Sequence, residues 1–293
     1  MRVVVLVEDD SNVCGIEAEH GLSLYIEKGD SRFLFDVGKS GLFACNAEVL
    51  GISIESIDAL FLSHGHYDHT GGLPKFMELN ANAKVYGTPT TFRPYYSLRK
   101  NGVYENIGTP PFDVDKRFSE RIVFNNGFLS TSDDIILFSD VKTDEFRSAA
   151  NDTLFVRNHA ESAFAVQEID ANSPCLYSQD CFEHEQSLIL KTEKGRNILF
   201  VGCSHRGIVN IMNRSVEILG QAPDVAFGGF HLMIPSQGKP IPFETLDRIA
   251  ERLSGWSTRY YTGHCAGRAA FERIQTILKD QISYFGAGDV FEF

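Results

Sequence analysis

Short β-strand patterns recur along this chain in two groups, and they limit the folds that it can adopt. One group lies before about residue 80 and the other after about residue 185, and each leads into helical patterns. The residues Gly29-Asp30 predict a hairpin turn in the first group. Apolar runs bounded by turn residues predict strands over these ranges: Arg2–Val7, Leu22–Glu27, Arg32–Asp36, Ala59–Ser63, Lys84–Tyr86, Ile135–Ser139, Leu188–Thr192, Ile198–Val201, Asp224–Phe227 and Arg259–Thr262.

Three amphipathic stripes in the second half of the chain predict helices that pack on a core. Gly220 is a plausible end of the first helix, since glycine is favoured just after a helix C-terminus. Two groups of strands that each lead into helices predict two sheets face to face with helices outside, a layered α/β αββα sandwich. The stripes are Ile208, Ile211, Met212, Val216 and Leu219, then Leu246, Ile249, Ala250 and Leu253, then Ala270, Ile274, Ile277 and Leu278.

Composition excludes several classes of function. The net charge is −12, the pI is about 5.2 and no basic groove or added domain is evident, so a nucleic-acid or anionic-membrane surface is not expected. The opening residues "MRVVVLVEDD" lack the length of a membrane span and the layout of a secretory signal. The 6 cysteines are widely scattered, which is typical of reduced thiols in a cytoplasmic protein. The sequence favours no oligomeric state.

The segment from about residue 87 to 126 has weak periodicity and many Pro, Gly, Tyr and Arg residues. Loops of this length inside a domain are usually lids, binding loops or disordered segments, so we predict an inserted lid-like segment. Its aromatic rings could stack on a flat substrate ring while its cations hold a phosphate, and we assign Arg93 and Tyr95 to substrate binding. A solvated surface loop or a dimer contact would have the same composition. Tyr96, Arg99 and Lys100 lie in the same stretch.

The stretch "LSHGHYDHTGG" (Leu62–Gly72) places three histidines and an aspartate directly after an apolar strand. Imidazole and carboxylate are the usual donors for zinc and related metals. Residues two apart in an extended chain point the same way, so His64 and His66 can bind one ion. Asp68 and His69 follow as the chain turns and can face a second position. The sequence therefore predicts a metal site, with Asp36 and Ser63 orienting its ligands.

The stretch "SHGHYDHTGG" matches the HxHxDH signature of the metallo-β-lactamase fold superfamily. Further blocks make the chain resemble the dihydropteroate-synthase-like branch, which includes 7,8-dihydropterin-6-ylmethyl-4-(β-D-ribofuranosyl)aminobenzene 5′-phosphate synthases. The resemblance covers nearly the whole chain and implies one αββα domain over residues 1–293, with two mixed sheets and outer helices. The blocks are "EHGLSLYIE", "FDVGKSGLF", "HEQSLIL", "GCSHRGIVNI", "GGFHL" and "TGHCAG".

The resemblance also implies later metal ligands. His264 is similar to the superfamily's last ligand and would join Asp68 and His69 on a second metal. His184 is similar in position to a first-metal histidine, although Asp180 or Cys181 could align there instead. Cys203 stands where relatives have Asp or Cys, with His205 two residues on, and we favour His205 as the ligand.

The predicted chemistry requires one or two divalent metal ions bound at this site. Zinc is the first choice, with iron or manganese as alternatives. Asp68 would hold a water molecule and take its proton if a single ion is present. His231, which follows paired glycines in "GGFHL", is a candidate catalytic and substrate-binding residue, with a packed structural role as the alternative. His20 and His159 have no evident partner and are predicted to be structural.

These expectations combine into a metal-dependent enzyme acting on a small, anionic, phosphorylated or pterin-like molecule. The reaction would be hydrolysis, or, as the resemblance implies, dihydropterin transfer with release of diphosphate. Two other classes stay open: an iron-dependent redox enzyme on the same fold, and a metal-stabilised binding protein without turnover. No nucleic-acid or membrane partner is expected.

Overall fold

A computed structural model describes residues 1–111, 116–142, 145–158, 176–234 and 237–293. Two seven-stranded sheets dominate it, and both are mixed. The first runs in the order β20 (Val290–Glu292), β1 (Arg2–Val7), β2 (Ser23–Lys28), β3 (Ser31–Phe35), β4 (Ala59–Phe61), β5 (Lys84–Gly87) and β8 (Ile122–Phe124). The second runs in the order β19 (Ile282–Tyr284), β18 (Arg259–Gly263), β15 (Val225–Gly229), β14 (Asn197–Val201), β13 (Ser187–Lys191), β10 (Ile135–Phe138) and β9 (Phe128–Ser132).

Each sheet buries both of its faces, which explains the continuous apolar runs of its strands. Along β1, Val3 and Val5 point into the space between the sheets, whereas Val4 points to the outer face. Along β14, Phe200 joins the central layer and Leu199 the outer core. The two sheets therefore share one apolar layer, and a second layer lies on the outer face of each.

Helices cover those outer faces. On the first sheet lie α1 (Leu42–Val49) and α3 (Leu73–Leu79), which contribute Phe43 and Phe76 to the core. On the second lie α5 (Ile208–Leu219), α6 (Phe243–Ser254) and α7 (Arg268–Leu278). Two short helices, α2 (Tyr67–Thr70) and α4 (Lys116–Ser119), complete the set in the described residues. The predicted αββα sandwich is confirmed.

The ten predicted strands are all present, with ends that differ from the predicted ones by at most two residues. Lys28 pairs with Ser31, so Gly29-Asp30 forms the predicted two-residue hairpin loop. All three helical stripes are helices, and Gly220 ends the first with a left-handed φ of 71°. None of the described helices has the length and apolar character needed to cross a membrane.

The predicted lid-like segment is more regular than its weak periodicity suggested. It contains β6 (Tyr95–Leu98) and β7 (Tyr104–Asn106), which join β11 (Leu154–Arg157) and β12 (Tyr177–Gln179) in a small antiparallel sheet. A bridge between His66 and Gly108 attaches this segment to the histidine-rich loop. The short hairpin of β16 (Met233–Ile234) and β17 (Lys239–Pro240) lies later in the chain. A lid function and the single-domain assignment stay predictions.

The sheet topology places many of the chain's polar residues at one edge. Strands β3 and β4 are parallel in the first sheet, and β14, β15 and β18 are parallel in the second. Their carboxyl ends lead into Asp36, His64, Gly202, His231 and His264. Ligands and reactive groups commonly collect at such an edge, because loops there are held by rigid strands.

Close packing at this edge leaves no room for a side chain at Gly228. An added Cβ would lie 1.9 Å from the Val201 carbonyl oxygen, and the φ of Gly228 is +142°. We expect Gly228→Ala to lower the free energy of unfolding by about 2–4 kcal/mol, through overpacking and backbone strain. Urea denaturation of the chelator-treated protein measures this.

The control is Gly255→Ala. The φ of Gly255 is −70°, and the atom nearest to the added Cβ, the Arg252 carbonyl oxygen, lies 3.3 Å away. It should change the free energy of unfolding by less than about 0.5 kcal/mol. Equal stabilities of the two variants would contradict the packing argument.

Candidate metal centre and active site

The histidine-rich loop after β4 is held in place by tight backbone packing. His66 precedes the first turn of α2, which carries Asp68 and His69, and the Thr70 hydroxyl donates to the His66 carbonyl at 2.9 Å. Gly71 is required because an added Cβ would lie 2.1 Å from the Lys39 carbonyl oxygen. The loop therefore projects its four donor side chains from a fixed backbone.

Three imidazole nitrogens form a first donor set. His64 Nε2 lies 3.1 Å from His66 Nδ1 and 3.3 Å from His205 Nε2. All three residues are buried. Two nitrogens bound to one zinc at the usual 2.0–2.1 Å are about 3.4 Å apart at tetrahedral angles. The spacing therefore fits three ligands of one cation.

A second donor set lies beside the first and consists of Asp68, His69, Cys203 and His264. Its donor atoms all lie within 4.8 Å of one another. His69 Nε2 is 3.1 Å from Cys203 Sγ, and His264 Nε2 is 3.3 Å from Asp68 Oδ2. This mixture of imidazole, carboxylate and thiol suits a transition-metal ion such as zinc.

Hydrogen bonds fix the orientation of these rings. The Asp36 carboxylate accepts from the Ser63 backbone N–H, the Ser63 hydroxyl and His69 Nδ1, each at 2.7 Å. Ser63 Oγ lies 2.8 Å from His64 Nδ1. Beyond β14 of the other sheet, the His205 ring is oriented by Asn151, whose Oδ1 lies 3.0 Å from His205 Nδ1. The orienting contacts expected for Asp36 and Ser63 are present, and each leaves a second nitrogen facing the donor set.

His184 is placed differently from the expectation. Its Nδ1 accepts from the Gly65 backbone N–H at 2.8 Å, and its Nε2 donates to Asp180 at 3.0 Å. Tyr95 stacks on the ring, with the ring centroids 3.8 Å apart. Because both ring nitrogens are engaged, this arrangement favours His184 as a support of the His64–His66 loop over a ligand. The two alternative ligands, Asp180 and Cys181, are also placed elsewhere. Asp180 accepts the hydrogen bond from His184, and Cys181 is exposed.

Cys203 and His205 both follow β14 and contact different histidines. His205 Nε2 lies 3.3 Å from His64 Nε2, and Cys203 Sγ lies 3.1 Å from His69 Nε2, although the donor atoms of His64, Cys203 and His205 also lie within 4.8 Å of one another. The sequence favoured His205 because histidine is the commoner ligand, and the geometry gives both residues a possible donor role. Residues two apart at a strand end can serve two adjacent ions.

Burial and mutual repulsion control the protonation of the first set. Burial, followed by His69 and His66, lowers the pKa of His64 well below its usual value. Burial and His184 lower the pKa of His66 to about 3. Burial, together with His231 and His66, also lowers the pKa of His205. These rings are therefore neutral at pH 7, which is the form that binds a cation.

The second set has the opposite character. Burial opposes the change, but the Asp9 and Asp68 carboxylates raise the pKa of His264 well above its usual value. Burial raises the pKa of the Cys203 thiol. For Asp68, burial is outweighed by His69 and His264, which lower the pKa of the carboxyl group. Without a cation, this set therefore holds protons on His264 and Cys203.

A cavity of about 390 Å³ opens onto both sets. His231 lines it, is 5% exposed, and has no hydrogen-bond partner in the described structure for either ring nitrogen. Arg99 also lines the cavity, whereas Arg93 and Tyr95 do not: Arg93 is exposed, and the Tyr95 hydroxyl donates to Thr90 at 2.6 Å. Substrate binding by Arg93 and Tyr95 stays a prediction that this placement does not favour.

Several further residues line the cavity without having been assigned to the site from the sequence, among them Asp9, His20 and Cys265. Arg99, one of the cations of the segment predicted to bind phosphate, lies there as well. Asp9 and His20 come from the strand and loop at the start of the chain. Nothing in their local sequence resembles a ligand motif. His20 was predicted to be structural, yet its ring centroid lies 4.8 Å from that of His264. His159 lies outside the described residues.

Comparisons with known proteins agree with this geometry. Residues 16–138 match the family model of the metallo-beta-lactamase superfamily. A 7,8-dihydropterin-6-methyl-4-(beta-D-ribofuranosyl)-aminobenzene-5'-phosphate synthase from Methanocaldococcus jannaschii is 28% identical over 287 residues, which cover 94% of this chain and 90% of that protein. An uncharacterised protein of the same organism is 26% identical over 266 residues, 89% of each chain.

Among solved structures, one described as a metal-dependent hydrolase of the beta-lactamase superfamily is similar over 100% of this chain and 99% of its own. The TM-score is 0.75 and the sequence identity 25%. The shared fold and the histidine-rich edge thus agree with the fold and the metal site expected from the HxHxDH pattern. This chain therefore has the metallo-β-lactamase fold, and its residues 16–138 match the family model of that superfamily.

Proposed function

We propose that this protein is a metal-dependent enzyme that transfers a dihydropterin-methyl group from its diphosphate ester to an aromatic amine ribotide. The observation that carries this proposal is the cavity of about 390 Å³, which has two donor sets and the free imidazole of His231 in its wall. The similarity to the methanogen synthase over 94% of the chain supports this choice of substrate.

We assign His64, His66 and His205 to one divalent ion, and Asp68, His69, Cys203 and His264 to a second, with zinc as the first choice. Divalent ions here would neutralise the oxygens of a departing diphosphate. Their charge also explains how a chain of net charge −12 can accept an anion.

The lining of the cavity combines two kinds of side chain. Polar residues of the donor sets lie together with apolar residues that include Ile107, Leu154 and Met233. Small-molecule sites typically combine an apolar lining with a few polar groups that fix orientation. A flat heterocycle would pack on the apolar side chains and direct its phosphate-bearing arm to the donors.

Two side chains are available to handle charge and protons on the substrate. His231 has two free ring nitrogens, so it can donate to a phosphate oxygen or accept the proton that the attacking amine loses. The guanidinium of Arg99 also lines the cavity, although its Nε donates to Glu105 at 2.5 Å. The lowered pKa of the Asp68 carboxyl group favours its ionised form, so Asp68 is better suited to bind a cation than to accept a proton.

Hydrolysis is the second candidate. It is favoured by the similarity in fold and sequence to a structure described as a metal-dependent hydrolase. In this reaction water would take the place of the amine, with the same donor sets and the same His231. The two candidates differ only in the group that attacks.

Diphosphate release from a dihydropterin-methyl diphosphate, with and without an aminobenzene ribotide, separates the two reactions. We expect release that requires the amine, together with a pterin–amine product seen by mass spectrometry. Release at equal rates without the amine would instead support hydrolysis. No release under either condition from the metal-loaded protein would contradict the proposal, with a chelator-treated sample as the negative control.

His231 is expected to act on the substrate and not on the metal. His231→Ala should lower kcat/KM by about 100-fold, which is the usual loss when a hydrogen-bond donor to a developing negative charge is removed. His231→Gln retains a neutral donor and should recover part of that loss. Metal content measured by atomic emission should equal that of the wild type, and loss of metal would assign His231 to the ligands.

The two donor sets should respond differently to pH. A cation at His64, His66 and His205 displaces no proton near pH 7, because their pKa values are lowered. A cation at the second set must displace protons from His264 and Cys203, whose pKa values are raised. Affinity for the second ion should therefore fall as pH falls, by up to about tenfold per proton and pH unit.

Chelator-competition titrations of the metal-free protein between pH 6.5 and about 8.5 measure this. Calorimetry in two buffers of different ionisation enthalpy counts the protons released with each ion. Equal pH dependence of both affinities would contradict the assignment of these residues to separate ions.

A further inference from the structure

One carboxylate at the mouth of the cavity holds two imidazoles. Asp9 Oδ1 accepts from His264 Nδ1 at 2.6 Å, and Asp9 Oδ2 accepts from His20 Nδ1 at 2.8 Å. Each Nδ1 therefore carries the proton, and in the neutral ring the lone pair lies on Nε2. Asp9 thus sets the same tautomer in both rings.

Both rings direct Nε2 at the same atom. His264 Nε2 lies 3.3 Å from Asp68 Oδ2, and His20 Nε2 lies 3.4 Å from it. These separations are close to those between the imidazole nitrogens of the first donor set. His20 therefore stands in the same relation to Asp68 as His264, which has been assigned to the second ion.

The position of Asp9 is itself fixed. It follows β1, and the Gly21 backbone N–H donates to Asp9 Oδ1 at 3.3 Å. The preceding residue, Glu8, is fully buried and accepts from the backbone N–H groups of His264 and Asp10. The end of β1 is thereby attached to the loop after β18, so that Asp9 lies between His20 and His264.

We propose that His20 is a further donor of the second set and that Asp9 is the positioning residue shared by His20 and His264. The second ion would then have donors from Asp68, His69, Cys203, His264 and His20. The inference rests on the two-ion site proposed above, but it does not depend on which reaction the enzyme performs. It gives the second ion an additional ligand on the solvent side, since the His20 side chain is 47% exposed.

Titration of the metal-free protein with Co²⁺ tests the proposal, because visible absorption reports the donors of each equivalent. The wild type should take up two ions. In His20→Ala, the affinity for the second ion should fall at least about tenfold and its absorption should change, while the first equivalent keeps its affinity and spectrum. His20 is half-exposed, so its truncation leaves the core intact.

Asp9→Asn should lower the affinity for the second ion by about 10–100-fold, which is the usual loss when an outer-shell partner of a ligating histidine is replaced. The double variant should lose less than the product of the two single losses, because the residues act as a unit. The matched control is Asp10→Asn, which removes one charge from a residue whose carboxylate pairs with Arg268 at 3.0 Å. It should bind both ions as the wild type does.

Wild-type affinity and an unchanged spectrum for the second ion in His20→Ala would overturn the proposal. Uptake of a single ion by the wild type would overturn it together with the two-ion site. A protein that binds two ions with the predicted His20 dependence, but releases no diphosphate, would retain the inference and lose the proposed reaction.

Discussion

The buried carboxylate of Asp36 is the contact on which the geometry of this site depends. It lies at the end of β3 and accepts hydrogen bonds from the backbone and hydroxyl of Ser63 and from His69. Through Ser63 it also reaches His64. One acid in the first sheet therefore orients donors that belong to both sets. Its φ of 60° is an uncommon conformation for a non-glycine residue, and the surrounding hydrogen bonds hold it there.

The same edge brings together groups with opposite electrostatic preferences. In the first set, burial and neighbouring imidazoles keep the rings neutral. In the second, acidic neighbours keep His264 protonated in the absence of a cation. The difference arises from the placement of carboxylates: Asp9 and Asp68 both contact His264, whereas burial and neighbouring imidazoles shift the pKa of His64.

The sequence predicted the sandwich well because its signals are local. Strand runs, helical stripes and turn residues report burial on both faces of each sheet. The HxHxDH loop was equally readable, since its spacing alone brings His64 and His66 to one side. Asp9, His20 and Cys265 carry no metal-ligand pattern of their own, and they meet the site because the folded chain attaches the end of β1 in one sheet to the loop after β18 in the other. Likewise, the sequence could not reveal that Gly65 and Asp180 occupy both nitrogens of His184.

The donors of the first set come from different halves of the sandwich. His64 and His66 follow β4 in the first sheet, whereas His205 follows β14 in the second. A cation held by all three would be a cross-link between halves that also share a non-directional apolar layer. Its binding free energy would be added to the cohesion of the fold, since the unfolded chain cannot assemble the three rings. Loading with metal would thus lock the relative alignment of the two sheets as well as prepare the site for chemistry.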